Sequence, residues 1–168
     1  MTILQLNQLD QTEFVRALGP VFEHSPWIAE ATWPKRPFAN FHILHHALCQ
    51  TVEHSGDTKQ LALIRAHPDL VGRASLAGTL TRESSLEQAG AGLNNLSPAE
   101  IDLFQRQNSA YQNKFGFPFV LCARLNKKDA ILAGFQRRLQ NSRPDEIKTA
   151  LQEIFKIAEL RLRDLIPA

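Results

Sequence analysis

Apolar residues recur at helical spacing along most of this chain. Phe14, Leu18 and Phe22 fall at every fourth position, and Asp10 with Glu13 forms a capping-box pattern just ahead of them. Gly19-Pro20 predicts a break or bend in that stretch. Ser25-Pro26 opens a short helix with the proline at its first position, and the Pro-rich residues 33–37 read as a loop. Phe41, Leu44, Leu48 and Val52 share one face of a helix over about 38–54. Another helix is predicted over about 57–66. It ends there because Pro68 disfavours the α conformation at His67.

Residues 67–80, with Gly72 and Gly78, read as a loop. Thr81 caps a short helix ending near Gly90-Ala91-Gly92. Ser97-Pro98-Ala99-Glu100 supplies a cap, an N1 proline and a capping-box glutamate for a helix reaching about Phe115. Two helices over about 128–139 and 144–165 close the chain. Only the run from Phe117 to Cys122 breaks the helical pattern, as an extended or irregular piece with strand-like composition. The expected class is all-α: a single-domain helical bundle over residues 1–168 with one irregular extended segment near 117–123.

Composition narrows the functional classes. A chain of 168 residues suits one domain with a full core, and 43% hydrophobic with 21% charged residues is an ordinary globular mix. The net charge is only +2 and no basic stripe is interleaved with aromatics, which argues against a nucleic-acid partner. No apolar run approaches the ~20 residues that span a bilayer, so no membrane association is expected. Cys49 and Cys122 make no disulfide framework and read as free thiols in a reducing compartment. The start has no secretory pattern, and the Ile166-Pro167-Ala168 end is not a peroxisomal tail.

Four places carry more polarity than a plain bundle needs. His67, held past a helix end by Pro68, titrates near neutral pH and can act as acid or base. A histidine there can equally interact with the helix C-terminal dipole. Ser84, Glu87 and Gln88 lie at i, i+3 and i+4 on one helical face. They form either a recognition surface for amide and carbonyl groups or a solvated face, with Leu86 and Ala89 turned to the core. In the Lys114–Phe119 run, glycine and proline interrupt the helix, so the following amides can hold a ligand oxygen. The same run can be an aromatic plug. Arg161 falls in line with the apolar stripe Ile147, Leu151, Ile154 and Ala158. It needs an internal carboxylate or an anionic ligand, unless it snorkels to the surface. His42, His45 and His46 have spacings that can bind zinc, yet no HExxH pattern supplies a third ligand or a base. Surface or interface histidines are the reading that fits better.

Taken together, these segments are more specific than any one alone. His67-Pro68-Asp69-Leu70, the run from Leu80 to Ser84, and Glu87-Gln88-Ala89-Gly90-Ala91-Gly92-Leu93 occur in order. Tyr111, the Lys114–Phe119 run, Arg138-Leu139 with Asn141, and the run from Ile157 to Leu162 follow. From about residue 8 to 166 the chain closely resembles the 2-oxo-4-hydroxy-4-carboxy-5-ureidoimidazoline (OHCU) decarboxylases of urate degradation.

The resemblance implies an all-α homodimer that releases CO2 from OHCU and yields (S)-allantoin without metal or organic cofactor. It implies His67, Glu87 and Arg161 as catalytic residues. It places substrate contacts on Pro68, on Ser84, Ser85, Leu86, Glu87 and Gln88, on Phe119, Val120, Leu121, Cys122 and Ala123, and on Arg161. No fused hydroxyisourate-hydrolase domain is expected. With the absence of a peroxisomal tail, this leads to the expectation of a stand-alone cytoplasmic, bacterial enzyme. A metal-dependent amidohydrolase using His42, His45, His46 and His67, and a non-catalytic helical interaction module, are the competing readings.

Overall fold

The computed structural model describes residues 1–167. Its elements are α-helices joined by short 3-10 turns, and no strand occurs among the described residues. The helices are α1 (Ile3–Gln8), α2 (Gln11–Leu18), α3 (Trp27–Thr32), α4 (Phe41–Glu53), α5 (Asp57–Ala66), α6 (Arg73–Leu76), α7 (Arg82–Gly90), α8 (Pro98–Phe115), α9 (Lys128–Arg138) and α10 (Arg143–Leu165). Two compact units emerge: Met1–Ala66 with the stretch from Phe155 onward, and His67–Ile154.

In the first unit, the predicted capping box at Asp10 and Glu13 starts α2, and Gly19-Pro20 converts its end into a 3-10 turn. Helix α3 packs against α2 and α4. Phe14, Leu18, Ile28, Leu44, Leu48 and Val52 are buried, as their spacing requires. Pro26 takes the N-cap position of α3, one residue earlier than predicted. Asn40 caps α4, so that helix starts at Phe41 and not at Phe38. Helix α1 was not anticipated, although Thr2 and Gln5 form a complete capping box. The predicted loop at 33–37 holds a 3-10 turn, Trp33–Lys35.

In the second unit, Ser97 and Glu100 close the predicted capping box of α8. Gly116, at φ +78°, ends that helix in the left-handed conformation that glycine adopts without steric cost. Beyond it the chain buries Phe117, Phe119, Val120, Leu121 and Cys122 in irregular backbone, so the strand-like composition reflects burial and not sheet pairing. Phe119 stacks on Phe135 of α9 with ring centroids 3.8 Å apart, and Tyr111 meets both edge-on.

A buried polar network braces this aromatic cluster. Arg138 Nε donates to Glu146 Oε1 at 2.5 Å, the Tyr111 hydroxyl donates to the same carboxylate, and Asn141 donates to its other oxygen at 2.8 Å. Glu146 is fully buried, which it tolerates because three donors converge on it. Burial pushes the Tyr111 hydroxyl well above the ordinary tyrosine range, with the Arg138 charge opposing. The Tyr111, Arg138 and Asn141 motif residues are thus parts of one structural brace. One expected loop, 67–80, contains the short α6.

Candidate active site

His67 opens the second unit and is only 7% exposed. The turn after it closes with the Gly72 amide donating to Asp69 O at 3.3 Å. A side chain at Gly72 would put its Cβ 2.5 Å from the Asp69 Cβ, so the close approach demands glycine. Val71 sits at φ +53°, in the left-handed region. For a β-branched residue this is strained, at a cost of about 1–3 kcal/mol.

Three side-chain amides hold that turn. Gln88 Oε1 accepts the Val71 amide at 3.1 Å, and Gln88 Nε2 donates to Asp69 O at 3.3 Å. Asn108 Nδ2 donates to Leu70 O at 2.8 Å. Gln112 Nε2 donates to the Asp69 carboxylate at 2.8 and 2.9 Å. Burial pushes the Asp69 carboxyl up, and the Gln112 bond opposes the shift.

Helix α7 starts where predicted: Thr81 Oγ1 accepts the Ser84 amide at 3.3 Å. Its polar face is turned inward, with Ser84 and Gln88 buried and Glu87 half-buried. The expectation that Leu86 and Ala89 face the core is wrong. Leu86 is 64% exposed, and Ser85 and Ala89 are exposed too. The helix is inverted relative to hydrophobic patterning because Gln88 is needed inside, where it satisfies the buried loop backbone.

Helix α7 also packs against the 3-10 turn Ala123–Leu125, which continues the segment Phe119–Ala123. Two side chains from neighbouring helices anchor the backbone of that segment. Arg138 Nη1 donates to Val120 O at 2.6 Å, and the Cys122 amide donates to Glu153 Oε2 at 2.8 Å. The amides of Val120, Leu121 and Ala123, all buried residues, meet no hydrogen-bond acceptor among the described residues. Buried amides left unmatched by the protein are ready donors for ligand oxygens. The segment is thus an aromatic plug that also carries amides unmatched among the described residues.

In the first unit, Arg161 lies buried on the α10 stripe at 4% exposed, so snorkelling is excluded. Its Nη1 donates to Glu23 Oε2 at 2.9 Å and to Pro20 O at 3.2 Å. Glu23 is 3% exposed and is the internal carboxylate that the stripe demanded. Sequence reasoning missed it. The available signal was a lone acid directly after the apolar pair Val21-Phe22.

The histidines of α4 do not converge on a metal-binding cluster. His45 Nε2 instead meets Phe155 O at 3.0 Å and Cys49 Sγ at 3.5 Å, while His42 and His46 are exposed. No group of three or more potential metal ligands occurs among the described residues. Both cysteines are free and buried, and burial with the nearby Glu53 and Glu159 charges pushes the Cys49 thiol up to about 12.

The geometry so far defines an all-α protein with a histidine loop, an inward-facing polar helix and an amide-rich segment brought together in one unit. Comparison with known proteins places it further. The family model for OHCU decarboxylase matches residues 7–163. The 2-oxo-4-hydroxy-4-carboxy-5-ureidoimidazoline decarboxylase of Halalkalicoccus jeotgali is 43% identical over 98% of this chain and 92% of its own. The protein of the same name from Haloferax volcanii is 44% identical over 98% of this chain and 95% of its own. A crystal structure of (S)-allantoin synthase superposes with a TM-score of 0.80 at 29% identity, covering 99% of this chain and 54% of that one. The chain belongs to the OHCU decarboxylase family.

Proposed function

We propose that this protein decarboxylates OHCU to (S)-allantoin in urate degradation, as a carboxy-lyase. Family membership over nearly the whole chain supports the reaction. The observation that carries it at the level of residues is the convergence of the His67 loop, the polar face of α7 and the unmatched amides of Val120, Leu121 and Ala123 within one unit. A ligand rich in carbonyl and ureido groups suits such a lining.

The chemistry follows from the substrate. Its carboxylate is carried on the ring carbon next to a C=N bond. When the C–CO2 bond breaks, its electron pair forms a ring C=C bond and the C=N pair moves onto nitrogen. No external electron sink is needed, so the proposed mechanism uses no organic cofactor and no metal. The ring nitrogen takes up one proton; the enediol-like intermediate then takes another at the ureido-bearing carbon, while the ring hydroxyl loses one to become the carbonyl. Delivery to a single face sets the S configuration.

In this proposal His67 transfers the proton and contacts the hydroxyl. Glu87 orients the imidazole and favours its charged form. Arg161 anchors a substrate oxygen, its planar guanidinium fixed on one side by Glu23. The buried Ser84 and Gln88, with Ser85, Leu86 and Pro68, belong to the proposed substrate surface, and the Phe119–Ala123 backbone reads ring and ureido groups. Gln88 already spends both ends of its amide on the His67 loop, so its contribution is to shape that surface as well as to touch the ligand.

The proposal extends to organisation. The family match runs through both units, which supports one decarboxylase domain over residues 1–168. A homodimer in the cytoplasm is the proposed working state. No helix of the described residues is long and apolar enough to cross a membrane. Generating OHCU in situ from urate and following CO2 release tests the activity. Turnover abolished by a chelator and restored by zinc would favour the amidohydrolase alternative.

A further inference from the structure

We infer that Asn108 is a positioning residue for His67, acting with Gln88 to hold the turn that follows the histidine in a conformation it would not keep alone. The inference rests on the reading of His67 as the proton-transfer group. Asn108 stands on α8 and is 5% exposed. Its Nδ2 donates to Leu70 O at 2.8 Å, while its Oδ1 is a buried acceptor with no partner. A side chain placed only for packing would be apolar at this position, since an unmatched buried oxygen is unfavourable. What the amide supplies is a single donor bond to a turn that has a conformational problem.

That problem is Val71. Its left-handed backbone is one that valine resists, and such strain persists only where the surroundings over-determine it. Here they do. Asn108 grips the carbonyl just before Val71, Gln88 accepts the Val71 amide and grips Asp69 O, and Gly72 closes the turn. Val71 itself is buried, so its side chain pins the same turn from another side. His67 and Pro68 lead straight into this clamped segment, so the clamp fixes where the imidazole starts.

The test pairs Asn108→Leu with Val71→Gly. Leucine has a similar size and removes both the donor and the orphaned oxygen. The expected result is a melting temperature at or above wild type, kcat lowered about tenfold or more, and KM changed less than kcat. The His67 ring NMR signals, assigned with His67→Gln, should move in Asn108→Leu and stay put in the exposed Ser109→Ala control. Val71→Gly relieves the strain, so Asn108→Leu should lose less in the glycine background than in wild type. Wild-type kcat and unmoved His67 signals in Asn108→Leu would overturn the inference, as would strictly multiplicative losses in the pair. If Asn108→Leu does not fold, Asn108→Ala decides: it removes the same donor to Leu70 O, and unmoved His67 signals there count against the clamp. The NMR readout needs no substrate, so it separates failure of the clamp from failure of the decarboxylase reading.

Discussion

Glu23 Oε2 accepts a hydrogen bond from the Arg161 guanidinium at 2.9 Å, and both side chains are almost closed to solvent. A carboxylate and a guanidinium buried together tolerate burial, whereas either one alone does not. The pair joins the segment after α2 to the last helix and explains why an arginine interrupts an apolar stripe.

This pairing sets opposite outcomes for two substitutions at Arg161. Arg161→Met takes the guanidinium away from the buried Glu23 carboxylate and should destabilise the protein by about 3–5 kcal/mol, with Glu23→Ala costing a similar amount. Arg161→Lys keeps the charge and should keep the fold, yet on the proposed role of Arg161 lose most activity, because an ammonium lacks the planar fork that would hold Glu23 and a substrate oxygen together. Thermal melts beside the allantoin assay check both. A melting temperature for Arg161→Met at or above wild type would show that the pair adds nothing to folding.

Glu87 and His67 are expected to act as a unit. Glu87→Gln keeps the size of the side chain but removes the charge to which the proposed mechanism assigns the orientation of the imidazole. Turnover should fall on the order of 10²-fold or more. The double variant with His67→Gln should be little worse than His67→Gln alone. Additive losses would assign the two residues to separate tasks.

Asp69 offers a pH-dependent stability test. Burial raises its folded pKa, so the folded state holds the proton more tightly than the unfolded state. Its charged form therefore costs stability as pH rises through the unfolded carboxylate value of 3.8, and the cost is complete above the raised folded value. Asp69→Asn should raise the melting temperature relative to wild type at pH 7, and the advantage should shrink toward pH 3. A constant difference across that range would mean the charge is not the cause.

Cys49 should be inert in the native protein. Its thiol is buried and pushed up to about 12, so almost no thiolate exists at pH 8. A thiol reagent at that pH should label Cys49 only after denaturation, as peptide mapping would report. Rapid native labelling would indicate an open, mobile α4 face.

The fold was largely legible because its signals are local. Caps at Asp10, Thr81 and Ser97, the stop before Pro68 and the apolar stripe of α10 each act within a few residues. The site was legible only in part. Arg161 stood out because it breaks a stripe, but Glu23 is 138 positions away and no periodicity links them. Leu86 misled because amphipathic patterning assumes that the apolar side is buried. In α7 the buried backbone of the Asp69–Val71 turn attracts Gln88 instead, and that demand comes from tertiary contact. The same holds for Asn108, which reads in sequence as an ordinary polar residue on a long helix.

The central claim is stereospecific decarboxylation at the site built around His67. The most direct measurement generates OHCU from urate in situ, adds purified protein, and follows allantoin by circular dichroism. The account predicts rapid appearance of the S enantiomer, lost in His67→Gln while its melting temperature is retained. Racemic allantoin appearing at the uncatalysed rate with wild-type protein, or S-selective turnover undiminished in His67→Gln, would contradict it.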